Sequence, residues 1–425
     1  MNQVYEDILR GVKIPQMSLF RQSFSTEHIT DIESRIRGTV AQVPGIDRIS
    51  GKTVALAVGS RGISHIAKIA ITMGSVRREH GAKVFIVPAM GSHGGAVAEN
   101  QKKILEHLGV TEEYTEAEIR ASMETVIIGE TEDGVPVNMD KNAASADYTV
   151  TIARIKPHCS FRGKYESGMI KMCVIGLGKQ KGADYCHYQG MANMGRNLEK
   201  IGRVFRDNSN VLFSLGIIEN SYDEPCFMEA IPMNEIMERE PELLEKAKAL
   251  IPSIPFDNID LLIVDEFGKN ITGTGMDCNI IQRFTSEHMI PKSFIKRLAV
   301  LDLTDESDGN AAGFGLADIS TERAFSKMDR EKTYPNFLTA RTVKGGMVPM
   351  IMADDYDAIR TGIKTCPDVD YDHLRVVRIK NTLRLDLMEV SSSMIDEAVN
   401  KGLTLVEGPY PLCFDKNRNL ITRKW

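Results

Sequence analysis

Five side chains able to move protons, form covalent links or hold ligands stand at Arg61, His93, His158, Lys171 and His187, each in a glycine-containing or proline-stiffened segment. Gly59-Ser60-Arg61-Gly62 offers backbone amides and a guanidinium beside a helix start, a combination suited to a carboxylate or phosphate. Gly91-Ser92-His93-Gly94-Gly95 sets in a glycine turn an imidazole, which takes or gives a proton near neutral pH. His158 follows Lys156-Pro157; the proline stiffens its backbone and the nearby cation favours the neutral, base-competent ring. Lys171 leads the apolar run 172–175, where lost hydration turns an amine into a nucleophile, and His187 supplies a second group able to carry protons or bind metal. Each residue has a plainer alternative: a surface arginine on a tight turn, histidines bonded to local backbone, a lysine that snorkels to solvent. His28, His80, His107, His288 and His373 read as solvated, and His65, near Arg61, stays open. Cys159 and Cys186 read as small buried fillers, with soft metal ligands as the alternative.

The elements that must position these residues follow a repeated grammar. A strand over 54–58, a glycine turn, an amphipathic helix over 66–79, a strand over 83–88, a second glycine turn and a helix over 96–108 predict βαβ units and a parallel sheet. A β-branched run over 148–155 predicts a buried strand leading to His158. Parallel strands bring their carboxyl ends to one edge, where open α/β sheets bind ligands, so Arg61, His93 and His158 are expected at one rim. Helices are expected over 27–37, 191–206 and 234–250, with a strand over 211–219. Ile251-Pro-Ser-Ile-Pro255 breaks the last helix. The expected fold is therefore two α/β domains with mainly parallel sheets and the active site in the cleft between them. The first, catalytic domain is 1–256 and the second 257–405, with strands near 259–264, 298–303, 348–352 and 374–379. The tail 406–425, which holds the only tryptophan, is expected to pack back on the first domain.

Bulk composition narrows the partners. At 425 residues the chain exceeds one ordinary core. A net charge of −6 without a basic block argues against nucleic acid and anionic membranes, and no apolar run is long enough to span a bilayer. Anionic ligands must then be held by a local basic pocket. Seven cysteines, an odd number with no Cys-x-x-Cys pair, argue against a disulfide framework or a structural zinc site. With no basic-then-apolar leader at the N-terminus, a cytoplasmic location is expected. The sequence carries no signal for an oligomeric state.

In order and spacing, the arginine turn (Arg61), the Gly-Ser-His turn (His93), Pro157-His158, Ser167-Gly168-x-x-Lys171 and a histidine sixteen positions on (187) resemble the nickel-pincer lactate racemase family of α-hydroxy-acid racemases and epimerases. The resemblance covers the first half of the chain. It implies a pyridinium mononucleotide with two sulfur-bearing arms joined to Lys171. Nickel would be held by the two sulfurs, one ring carbon and His187; imidazole and soft sulfur suit square-planar nickel. It further implies His93 and His158 as the acid/base pair flanking C2, Arg61 on the substrate carboxylate, hydride transfer through a 2-keto acid, and cofactor-biosynthesis enzymes as partners. The chain departs from the family's Gly-Tyr-Ser-Gly-Gly-Arg-Lys with Lys164-Tyr-Glu-Ser-Gly-Met-Ile-Lys171, and its first turn lacks the acidic, threonine-containing form. Arg162, Lys164 and Glu166 therefore point to a 2-hydroxy acid larger than lactate, such as a sugar acid. A nickel-free α/β oxidoreductase and a non-catalytic carboxylate-binding protein are the alternatives. The first lacks the Gly-x-Gly-x-x-Gly of a dinucleotide site.

Overall fold

The structure, a computed structural model, describes residues 3–60 and 62–421. The chain divides into two compact units, Ser25–Ile251 and Met1–Phe24 joined by Pro252–Trp425.

The Ser25–Ile251 unit is built on five strands: β1 (Thr53–Val58), β2 (Lys83–Pro88), β3 (Tyr148–Arg154), β4 (Val211–Glu219) and β5 (Pro225–Pro232). Their spatial order is β2-β1-β3-β4-β5. β1 to β4 run parallel and β5 closes the edge antiparallel to β4. Helices α1 (Ile66–Glu79), α2 (Ala98–His107), α3 (Lys179–Tyr188), α4 (Met194–Asn208) and α5 (Met233–Leu250) complete the frame. Side chains alternate across a strand, so each face takes every second residue. Val54, Leu56 and Val58 join Ile66, Ile69 and Met73 of α1 in one core. Ala55, Ala57 and Ala153 enter the other, with Met169, Ile170, Val174 and residues of α4 and α5. Three alanines on that face leave room for the helical run that carries Lys171 to lie close to the sheet.

The other unit holds an eight-stranded sheet in the order Met350–Met352, Ile319–Thr321, Ile295–Leu303, Ile259–Phe267, Val376–Ile379, Leu387–Ser391, Met17–Arg21, Thr404–Tyr410. The first five strands are parallel and the rest antiparallel. The domain division therefore differs from the 1–256, 257–405 and 406–425 scheme. Met17 and Phe20 are fully buried, and their strand pairs with both Leu387–Ser391 and Thr404–Tyr410. Met17–Arg21 thus belongs to the sheet of the second α/β unit, and Thr404–Tyr410 forms that sheet's edge. Trp425 lies outside the described residues. Among the described residues no helix is long and apolar enough to cross a membrane.

Candidate active site

The carboxyl ends of three adjacent strands deliver the first groups. Ser60 lies two residues past β1, His93 five past β2, and His158 four past β3. Ser60 Oγ hydrogen-bonds His93 Nδ1. The His93 turn is tied down by Gln101 of α2, whose amide donates to Gly91 O (2.9 Å) and His93 O (3.0 Å). Arg61, expected on the carboxylate, lies outside the described residues. Its flanks are fastened from the strand ends: Ser64 N–H donates to Glu219 Oε1 (2.7 Å), and Arg154, 2.5 Å from Glu219, donates to Gly62 O (3.4 Å). Burial raises the Glu219 carboxyl above the usual range and Arg154 opposes that.

His158 sits in a closed loop. Lys156 and Ser167 exchange backbone hydrogen bonds of 3.0 and 3.2 Å, so residues 157–166 leave and re-enter at one point, four residues before Lys171. Inside the loop, Ser160 N–H donates to His158 Nδ1 (3.1 Å) and His158 N–H donates to Glu166 Oε2 (2.7 Å). The imidazole lies 4.4 Å from the Phe161 ring, centroid to centroid. Glu166 is fully buried and ion-paired to Arg162 and Lys248, each at 3.3 Å. Arg162 donates to His158 O (2.5 Å), and the Lys164 ammonium lies over the Tyr165 ring. The three side chains that suggested a larger acid are thus engaged within the protein, two of them in bracing the His158 loop. Sequence alone could not show that Glu166 points inward.

Lys171 and His187 come from one helical run that reverses. Met169–Lys171 is α-helical and Met172–Leu177 widens into a π-helical turn, a form that recurs at functional sites. Lys179 then adopts a left-handed backbone (φ 53°), which ends the first segment. A continuous helix would place Val174 and Gly182 about 12 Å apart along its axis. Instead a Cβ on Gly182 would lie 2.5 Å from Val174 O, so only glycine allows α3 to start this close to the preceding turn. A Cβ on Gly91 would meet both Ile175 (3.1 Å) and Ala183 (3.8 Å), which puts the His93 turn across both segments. Ala183 and His187 are four apart on α3 and share a face. Lys179 lies midway between Lys171 and His187, eight residues from each, so the turn there ends the straight run between them. Burial pushes the Cys186 thiol up to about 12, and the Lys171 charge opposes the rise.

Two buried groups escaped the sequence reading. Lys179, in what looks like a solvent-facing Gly-Lys-Gln-Lys-Gly turn, is fully buried; its ammonium ion-pairs Asp140 (3.0 Å) and donates to Gln101 Oε1 (3.2 Å) and Pro88 O. Burial lowers its pKa and Asp140 opposes that. The chain Asp140–Lys179–Gln101–His93 O links the reversal to the histidine turn. Glu240 of α5 is also fully buried and accepts from Ile170 N–H (2.8 Å), holding the start of the Lys171 helix; burial pushes its carboxyl up to about 7. Their only sequence signal is a charged residue in an amphipathic pattern.

The fold defines a class: a parallel α/β unit with imidazoles past the carboxyl ends of its strands and a helical run, broken at Lys179, that carries Lys171 and His187. Residues 63–198, which contain His93, His158, Lys171 and His187, match the family described as lactate racemase N-terminal domain, and the chain is lactate racemase-like in this segment. The solved structure of the lactate racemase apoprotein from Thermoanaerobacterium thermosaccharolyticum is similar at 13% identity, over 79% of this chain and 83% of that one, with a TM-score of 0.47. No curated protein matches the chain.

Proposed function

We propose that this protein is a racemase or epimerase that inverts C2 of a 2-hydroxy acid and uses a nickel-pincer nucleotide held by Lys171 and His187. The observation that carries the reading is the left-handed turn at Lys179, which breaks the helical run between Lys171 and His187 inside the segment that matches the racemase family model. Among the described residues no three His, Cys, Asp or Glu side chains converge as a metal site. A metal on His187 therefore needs donors from outside the chain, and a cofactor with its own sulfur and carbon donors meets that need. When bound, it supplies a hydride acceptor and donor at C2. The chain's own residues do the rest: His93 and His158, over β2 and β3, hold or move the hydroxyl proton, and Arg61 grips the carboxylate. Two acid/base groups suit inversion, because the hydroxyl stands on a different side of C2 in each enantiomer and its proton is taken or returned from two directions. The engagement of Arg162 and Glu166 in the loop removes the argument for a larger acid, so the substrate is proposed as a 2-hydroxy acid without a stated size. Seven free cysteines fit a reducing cytoplasm.

The test is to co-produce the chain with the cofactor-making enzymes and record intact mass, nickel content and the C2 configuration of offered 2-hydroxy acids by chiral chromatography. A mass adduct with about one nickel per chain is expected. Lys171→Ala should lose both, whereas His187→Ala should keep the adduct and lose most of the nickel. A chain that carries neither adduct nor nickel, made in cells where a control racemase is loaded, would sink the proposal.

A further inference from the structure

The two imidazoles are held at Nδ1 by partners of different chemistry. At His158 the partner is the Ser160 backbone N–H, 3.1 Å away. An amide N–H only donates, so Nδ1 must be the bare nitrogen and the neutral ring carries its proton on Nε2. At His93 the partner is the Ser60 hydroxyl. A hydroxyl donates or accepts, so His93 can carry its proton on Nδ1 and present a bare Nε2 with that hydrogen bond intact. Both backbones are fixed: His93 O accepts from Gln101 (3.0 Å), and His158 N–H donates to Glu166 (2.7 Å). Ser160 is only 8% exposed, so its amide has little access to water in place of the ring.

We infer that the two histidines rest in opposite tautomers, His93 with its proton on Nδ1 shared with Ser60 Oγ, and His158 with its proton on Nε2. The His158 tautomer follows from its hydrogen bond; the hydroxyl at His93 permits the opposite tautomer, and the roles assigned to the two rings rest on the racemase reading. In the resting protein only His93 is ready to take the substrate's hydroxyl proton. The O–H bond breaks, an N–H bond forms at Nε2, the ring becomes imidazolium, and the oxygen keeps the electron pair. Ser60 is the positioning residue for that step. For His158 to accept at Nε2, its existing proton must first pass to Nδ1 and the Ser160 N–H must leave, so its turn as base requires movement within residues 157–166.

The experiment is nitrogen NMR of the full-length apoprotein with 15N-labelled histidine, above the pH at which the imidazoles charge, with His93→Gln and His158→Gln used to assign the signals. The expected result is a bare Nδ1 and protonated Nε2 at His158, and the reverse at His93. Ser60→Ala should return His93 to the Nε2–H form and leave His158 unchanged, while Ser60→Thr, which keeps the hydroxyl, should preserve the wild-type pattern. Both rings in one tautomer, a protonated Nδ1 at His158, or a His93 signal indifferent to Ser60→Ala would overturn the inference. Opposite tautomers in a protein whose loaded form inverts no 2-hydroxy acid would uphold it and remove the functional reading instead.

Discussion

Glu240 makes the unit that carries the candidate site sensitive to pH, and the effect has a size. The carboxyl is fully buried in α5, where Ile170 N–H donates to Oε2. Oε1 has no hydrogen-bond partner, and burial raises the group from 4.5 to about 7. Between those values the unfolded chain has released the proton while the folded chain still holds it. The folded state therefore binds more protons, and stability falls as pH rises, by about 1.4 kcal/mol per pH unit. Stability is complete below the unfolded pKa and about 3 kcal/mol has gone once pH passes the folded one. Glu240→Gln keeps an oxygen for Ile170 N–H and removes the titration; any misfit of its new NH2 is a constant offset. Urea unfolding followed by circular dichroism at pH 5 and pH 8.5 should show the variant's stability, relative to wild type, rising by about 3 kcal/mol between the two. A difference that is the same at both pH values would refute the argument, because it would mean that Glu240 titrates alike in both states.

Lys179→Met should destabilise the unit by about 3–5 kcal/mol in the same assay, because it leaves Asp140 buried beside no cation, and Lys179→Met with Asp140→Asn should recover much of the loss. Gly168→Ala should cost about 1–3 kcal/mol, since its Cβ would overlap Glu240 Oε1 at the start of the Lys171 helix, and relief in the Gly168→Ala, Glu240→Ala double variant would locate the clash. The same variant should load less cofactor on Lys171, read by intact mass.

The rim was legible in the sequence because it depends on local pattern. Strand, glycine turn and helix repeat within about 30 residues, and parallel pairing then places His93 and His158 at one edge whatever the side-chain detail. What was not legible depends on partners far along the chain. Met17–Arg21 lies in the segment expected to belong to the first domain, yet it becomes a strand of the other unit because Leu387–Ser391 and Thr404–Tyr410 lie on either side of it. Glu166 and Lys179 look like surface charges; both are fully buried, because Lys248 and Asp140 arrive from other elements to pair with them. The inward or outward sense of a charged side chain is decided by such pairing, and a single sequence does not carry it.

The sixteen-position spacing of Lys171 and His187 shows why spacing alone decides little. On one straight helix they would stand about 24 Å apart, beyond the reach of any shared small ligand. The turn at Lys179 breaks that straight run, and it rests on three facts: a left-handed Lys179, a Gly182 without a Cβ against Val174 O, and a side chain at 179 that enters the core to meet Asp140. A buried ion pair adds little net stability over an apolar pair of the same shape, so its use here is better sought in register. The same ammonium bonds Gln101, and Gln101 bonds the His93 carbonyl, so a shift of the reversal would also shift the first imidazole. The turn between Lys171 and His187 and the backbone of His93 at the rim are therefore tied into one network, Asp140–Lys179–Gln101–His93 O.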